Sequence, residues 1–373
     1  EISACLVGSE MCIRDRRYRD EMKKEIPELD AVVGIGSNGK ICDIIREILL
    51  DKQAVCSYGA KTELSMEGGR IISTEPFYAY IKIAEGCSNN CTYCAIPSIR
   101  GKYRSRRMED IVKEARWLAE NGVTELVVVA QDTTRYGEDI YGKSMLPELL
   151  TALCEIDGFK WIRTLYCYPE RITDELLDVI AKEDKLVKYL DMPIQHCNKT
   201  ILKRMNRHGD RETLTALIKK IREKIPNVTL RTTLITGFPG ETEEQFEELC
   251  EFVKEIRFER LGCFAYSPEE GTPAEKFEDQ VPLKDRERRA EIIMEEQMII
   301  SDSLNEAALD SEVEVVCEGF DRYAECYYGR SQADAPEIDG KIFFLSEDKV
   351  RVGEYVKVKI DDTMDYDLIG SKM

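Results

Sequence analysis

At 373 residues, with 43% hydrophobic side chains, the chain is long enough for two or three packed domains. It contains no run of about 18 apolar residues, which argues against a helical membrane span. Its net charge of −19 opposes non-specific nucleic-acid binding and suits a basic partner. Fourteen cysteines and no signal-type apolar segment at the start point to the cytosol, where cysteines are free thiols or metal ligands.

In chain order, 31–36 (AVVGIG) reads as strand and turn and 41–50 as helix, a piece of an α/β unit too short to stand alone. Six strands are then predicted at 78–84, 125–130, 161–167, 187–192, 228–236 and 260–266. Helical stretches separate them at 108–121, stopped by Gly122, at 173–182, capped by Thr173, and at 199–206, 211–224 and 242–256. Six β/α units are fewer than the eight of a closed barrel, so the expected architecture is an open, partial (β/α)6 barrel. A charged helix follows at 282–308, with Pro282 in its first turn. Alternating runs at 312–318, 340–345 and 354–360 predict a small all-β barrel or sandwich at the C-terminal end.

One cysteine group is tight. Segment 85–107 (EGCSNNCTYCAIPSIRGKYRSRR) follows the first predicted barrel strand and carries Cys87, Cys91 and Cys94 in Cys-x3-Cys-x2-Cys spacing. Three thiolates on one loop suit three irons of a cubane cluster and leave the fourth iron open to a ligand. A structural zinc site needs four converging N or S donors, and the chain has only two histidines, His196 and His208.

With Tyr93 as the aromatic of Cys-x3-Cys-x-aromatic-Cys, the segment resembles the signature of the radical S-adenosylmethionine superfamily. The resemblance implies a 4Fe–4S cluster on Cys87, Cys91 and Cys94 and S-adenosylmethionine on the open iron. It implies cleavage to a 5′-deoxyadenosyl radical inside a partial (β/α)6 barrel. Gly237 and Gly240 in 234–241 (LITGFPGE) are then expected near adenosine; otherwise the segment is an ordinary turn with Thr242 or Glu241 capping a helix. Gln131 is expected at the methionine end, Arg231 facing the cavity, and Tyr93 beside the adenine.

The barrel followed by a small β-domain resembles the methylthiotransferase family, whose C-terminal domain is of TRAM type. Stretches YPERIT (168–173), YLDMPIQH (189–196), SPEEGT (267–272), APEIDG (335–340) and DYDL (365–368) resemble the branch that modifies an aspartate of a small-subunit ribosomal protein. Residues 306–373 hold seventeen Asp or Glu against eight Lys or Arg, which suits a basic ribosomal protein and makes RNA contact secondary. Of two basic runs, 100–107 (RGKYRSRR) and 203–208 (KRMNRH), the first reads either as a guide for an acidic side chain or ribosomal RNA or as a solvated loop. A tRNA adenosine methylthiotransferase and a non-enzymatic iron–sulfur protein stay open as alternatives. The resemblance also implies an external electron donor.

The family carries a second 4Fe–4S cluster on N-terminal cysteines. Here the likeness begins near Arg17, and 1–16 (EISACLVGSEMCIRDR) reads as a foreign segment. Residues 17–60 are expected to be a remnant of the N-terminal domain, 73–304 the radical core and 306–373 the TRAM-like barrel. The second cluster's ligands are expected to be missing, since Cys5, Cys12, Cys42 and Cys56 are irregularly spaced. The chain is then expected to cleave S-adenosylmethionine without completing methylthiolation.

Overall fold

The computed structural model describes residues 24–26, 28–51, 55–60, 67–73 and 75–373. The expected foreign segment 1–16, with Cys5 and Cys12, lies outside them. Near the start, β1 (Ala31–Val33) and β2 (Val55–Ser57) pair in parallel, with the helix Ile41–Asp51 between them.

The six predicted barrel strands are all present. β3 (Tyr78–Lys82) leads into β4 (Ala84–Glu85), which pairs antiparallel with β5 (Arg104–Ser105) at the base of the cysteine loop. β6 (Glu125–Val129) and β7 (Trp161–Thr164) extend β3 as a parallel sheet. β8 (Tyr189–Asp191), β9 (Thr229–Thr236) and β10 (Arg260–Ala265) form a second parallel sheet. A single parallel bridge, Ile162 to Leu186, joins the two. Among the described residues β3 and β10 do not pair, so the barrel is open.

Strand alternation divides the apolar side chains between two cores. Ala79, Ile81, Leu126, Val128, Ile162, Leu190 and Leu230 point outward onto the helices. There they meet Ile111, Leu118, Leu149, Leu176, Ile218 and Leu249. Tyr78, Val127, Trp161, Leu165 and Tyr189 point inward. Burying one such aliphatic side chain contributes about 1.5–3 kcal/mol, so the outer layer carries most of the barrel's stability.

Helix ends follow local chemistry. Met108–Glu120 stops before Gly122, whose φ is 91°. Thr173 Oγ1 accepts from Leu176 N at 3.2 Å and caps Asp174–Lys182. Thr242, rather than Glu241, caps Glu243–Ile256 in a reciprocal pair with Gln245. The helix Leu146–Cys154 was not among the predicted ones.

The long helix Leu283–Glu306 leads to β11 (Glu312–Asp321), β12 (Cys326–Arg330), β13 (Ile342–Leu345), β14 (Tyr355–Met364) and β15 (Asp367–Lys372). They close into a barrel, ordered β11-β12-β13-β15-β14, around Val315, Ile342, Phe344, Val358 and Ile360. No helix of the described residues is long and apolar enough to cross a membrane.

Residues 331–340, between β12 and β13, leave this small barrel and enter the lower end of the large one. Arg163 Nε donates to Glu125 Oε1 at 3.1 Å, and Arg330 pairs with Glu125 and, at 2.7 Å, with Glu318. Arg163, Glu125 and Arg330 are almost wholly buried. Arg260 pairs with Asp334 at 2.6 Å, and Tyr189 Oη donates to Asp339 Oδ2 at 2.6 Å. Buried charges are tolerated only when paired in this way.

Candidate functional site

The cysteine loop is shaped by Gly86. Its φ is 77°, and a Cβ there would stand 2.4 Å from the Lys102 carbonyl oxygen. Glycine alone lets the chain turn this closely, and Cys87 N then donates to Gly101 O at 3.1 Å. Burial alone would raise the Glu85 carboxyl, but Lys82 at 2.5 Å and Arg100 at 3.0 Å hold it below its usual range.

The loop's tip is held from neighbouring strand ends. Asn89 Nδ2 donates to Asp132 Oδ2 at 2.8 Å, and Asn89 Oδ1 accepts from Arg135 at 2.9 Å. Asn206 Nδ2 donates to the carbonyls of Asn89 and Asn90, at 3.1 and 3.0 Å. Thr92 Oγ1 donates to the Arg204 carbonyl at 2.8 Å. Several arginines of the basic runs are therefore taken up by partners within the protein, while Lys102, Arg107, Lys203 and His208 stay exposed. Arg100 pairs with Glu85, Arg106 with Glu114 at 2.7 Å, and Arg204 with Asp279 at 2.6 Å.

Held this way, Cys87, Cys91 and Cys94 all line one cavity of about 560 Å³ at the carboxyl ends of β3, β6 and β7. All three are free thiols. Tyr80, Tyr93, Tyr166 and Tyr168 share the walls with Val129, Leu165 and Ile338. Tyr168 Oη lies 3.0 Å from Cys91 Sγ, and the Arg207 guanidinium stacks 4.0 Å from the Tyr168 ring centre. Burial raises the Cys87 thiol and pushes Cys94 up to about 11, with the neighbouring cysteines adding to both. Burial raises the Tyr93 and Tyr168 hydroxyls as well. Burial works against the charge of Arg207, but Tyr93, Tyr168 and Cys91 around it hold its pKa above the ordinary value. A buried cation near Cys91 favours negative charge on that side of the thiol group.

The donor set fits a 4Fe–4S cubane better than a single ion. Soft thiolates select iron–sulfur clusters or zinc, and zinc needs its donors to converge on one point. Among the described residues no three His, Cys, Asp or Glu side chains are grouped to hold one ion. The three thiols sit on one loop and line one cavity, an arrangement that suits three irons of a cubane.

The other expected site residues are divided. Tyr93 and Gln131 line the thiol cavity, and Tyr93 packs edge-on against Phe238. Gln131 Oε1 is shut from solvent without a hydrogen-bond partner among the described residues, and so has acceptor capacity left for a ligand. Arg231 is outside this lining. It pairs with Asp191 at 2.9 Å and faces a neighbouring cavity of about 340 Å³. Gly237 and Gly240 are outside it too. A Cβ on Gly237 would meet Arg286 Cγ at 2.4 Å, and one on Gly240 would meet Asp279 at 2.5 Å. Both turn at positive φ, 67° and 82°.

Sequence reasoning missed Tyr166, Arg207 and Ile338 as members of the site. Arg207 sits in a basic run that by itself decides nothing. Tyr166 takes a φ of 61°, uncommon for an aromatic residue, with its N–H on Asp191 Oδ2 at 3.0 Å.

Residues 81–253 match the Radical SAM superfamily, and residues 311–372 match the TRAM domain. A ribosomal protein uS12 methylthiotransferase RimO from Clostridium tetani is 48% identical over 357 residues, 95% of this chain and 80% of that protein. Its counterpart from Clostridioides difficile is 50% identical over 355 residues, with the same coverage of each chain. The solved structure of coproporphyrinogen III oxidase HemN from Escherichia coli aligns with a TM-score of 0.45 at 21% identity, over 62% of this chain and 54% of that one.

Proposed function

The chain belongs to the ribosomal protein uS12 methylthiotransferase RimO family, and from that premise we propose that it methylthiolates the β-carbon of an aspartate in uS12. The observation that carries this reading is the wall of three free thiols facing tyrosines and aliphatic side chains in one cavity.

In this reading Cys87, Cys91 and Cys94 hold a 4Fe–4S cluster. When bound, the cluster supplies the electron that cleaves S-adenosylmethionine, whose adenosyl fragment then removes a hydrogen from the substrate carbon. The chain's own residues bind and orient. Tyr93 offers its ring beside the ligand, and Gln131 Oε1 accepts from a donor such as the ammonium of the methionine moiety. Val129 and Leu165 give the cavity an apolar wall that limits water beside the ligand and strengthens polar contacts to it. With Cys91 as a thiolate ligand, Tyr168 Oη, 3.0 Å from its Sγ, would be the donor of that contact. The acidic C-terminal barrel favours a basic protein substrate over RNA, which supports uS12 rather than tRNA. The scheme also needs an external one-electron donor, a sulfur atom, which the test supplies as sulfide, and a second S-adenosylmethionine to methylate that sulfur.

The test is anaerobic reconstitution with iron and sulfide, reduction, and addition of S-adenosylmethionine and uS12. The expected result is 5′-deoxyadenosine together with uS12 heavier by one methylthio group. Modified tRNA in place of modified uS12 defeats the assignment; 5′-deoxyadenosine with no methylthio product on either is the outcome expected if the second cluster does not form.

A further inference from the structure

The loop 331–340 belongs to the C-terminal barrel, yet it is anchored inside the large one on both sides of Ile338. Tyr80 Oη donates to the Pro336 carbonyl at 3.2 Å, and Tyr78 Oη to Glu337 Oε1 at 3.1 Å. Beyond Ile338, Asp339 Oδ2 accepts from Tyr189 Oη at 2.6 Å and from Ala335 N at 2.8 Å. Glu337 has a φ of 62°, a strained conformation that the anchors on either side impose.

Ile338, at the tip, is 42% exposed. A single exposed aliphatic side chain is ordinary; what sets Ile338 apart is that the loop fixes it at the edge of two cavities. Its exposed face lines both the thiol cavity and the polar cavity that holds Arg231 and Arg260. It is the partition between them.

We propose that Ile338 is a ligand-contacting, specificity-determining residue. The C-terminal barrel thereby supplies the floor of the S-adenosylmethionine cavity and sets its depth. The inference rests on the radical reading for the identity of the ligand. Because Ile338 is half exposed, its replacement acts on binding and not on the packed core.

The test uses the full chain, reconstituted with iron and sulfide. S-adenosylmethionine affinity is measured by equilibrium dialysis, beside iron content and thermal unfolding. Ile338→Trp fills the floor and is expected to weaken binding at least about tenfold, since one or two methylenes in a closed apolar pocket already change binding by that factor. Iron content and Tm are expected to stay near wild type. If the Trp variant unfolds, Ile338→Ala decides: it removes contact without a clash and is expected to weaken binding about tenfold. Wild-type affinity in a folded Trp variant, or in the Ala variant, overturns the proposal. A wild-type chain that binds S-adenosylmethionine but never cleaves it defeats the radical reading and leaves the floor assignment standing.

Discussion

The two ends of the large barrel are lined with opposite materials. At the carboxyl ends of its strands are three free thiols, four tyrosines, aliphatic side chains and an amide oxygen without a partner. At the other end Glu125, Arg163, Arg330 and Glu318 are joined by ion pairs. One end turns a spare acceptor into a cavity that can take a ligand. The other uses its charges to join the two barrels, although Arg163 Nη2 and Arg260 Nε there also lack a hydrogen-bond partner among the described residues. The difference teaches that a buried polar group with spare bonding capacity carries functional meaning only where it faces a cavity.

Four substitutions break or sharpen this contrast. The largest effect on chemistry is expected from Cys91→Ala, which removes one of the three thiols. Cluster absorption and 5′-deoxyadenosine should fall to background, while the Tm of the unreconstituted chain stays within a few degrees of wild type. Equal destabilisation by this change and by loss of Arg330 would erase the contrast.

Arg330→Met is the mirror case. It leaves the buried Glu125 and the partly exposed Glu318 without that guanidinium and should cost about 3–5 kcal/mol in denaturant unfolding. The molecules that remain folded should still bind about four irons in the thiol cavity. A smaller loss than 1 kcal/mol would mean that the lower end is not a joint.

Tyr168→Phe probes the upper end more gently. It deletes the hydroxyl 3.0 Å from Cys91 Sγ. A hydrogen bond to a cluster thiolate stabilises the more negative, reduced state. Losing about 1 kcal/mol of it should lower the midpoint potential by about 40 mV in an EPR-monitored titration. An unchanged potential would reduce the contact to packing.

The smallest effect belongs to neither end. Thr173→Ala removes the cap of Asp174–Lys182 and should cost about 1 kcal/mol with turnover per folded molecule unchanged.

The sequence exposed the barrel well because its strands and helices carry different periods. Yet 161–167 reads as one strand, whereas β7 ends at Thr164 because Tyr166 turns to positive φ. A local tyrosine gives no warning of that. The helix Leu146–Cys154 does carry its period, with Leu146, Leu149, Leu150 and Leu153 at i, i+3, i+4 and i+7, but at nine residues it is too short for the pattern to stand out. β15 was missed because Gly370 interrupts it. A Cβ there would stand 2.2 Å from the Lys359 carbonyl oxygen, so close strand approach dictates the glycine.

The cysteine triplet was legible because all three donors sit on one loop. Tyr168 and Arg207 were not, since they reach Cys91 and its neighbours from distant segments that only the barrel brings together. Gly237 and Gly240 share a motif with a ligand contact and with an ordinary turn, and spacing cannot separate the two. In the folded chain they stand against Arg286 and Asp279.

The loop 331–340 also limits how this architecture can be recombined. A C-terminal barrel cut at the end of the helix Leu283–Glu306 and replaced by a relative's would bring its own insert into a socket fitted to this one. Glu125, Arg163, Tyr189 and Arg260 on the large barrel are the complementary half of that fit. A working chimera has to carry both halves together. The seam along which these enzymes can be exchanged therefore runs through side chains, and not along the boundary that domain architecture suggests.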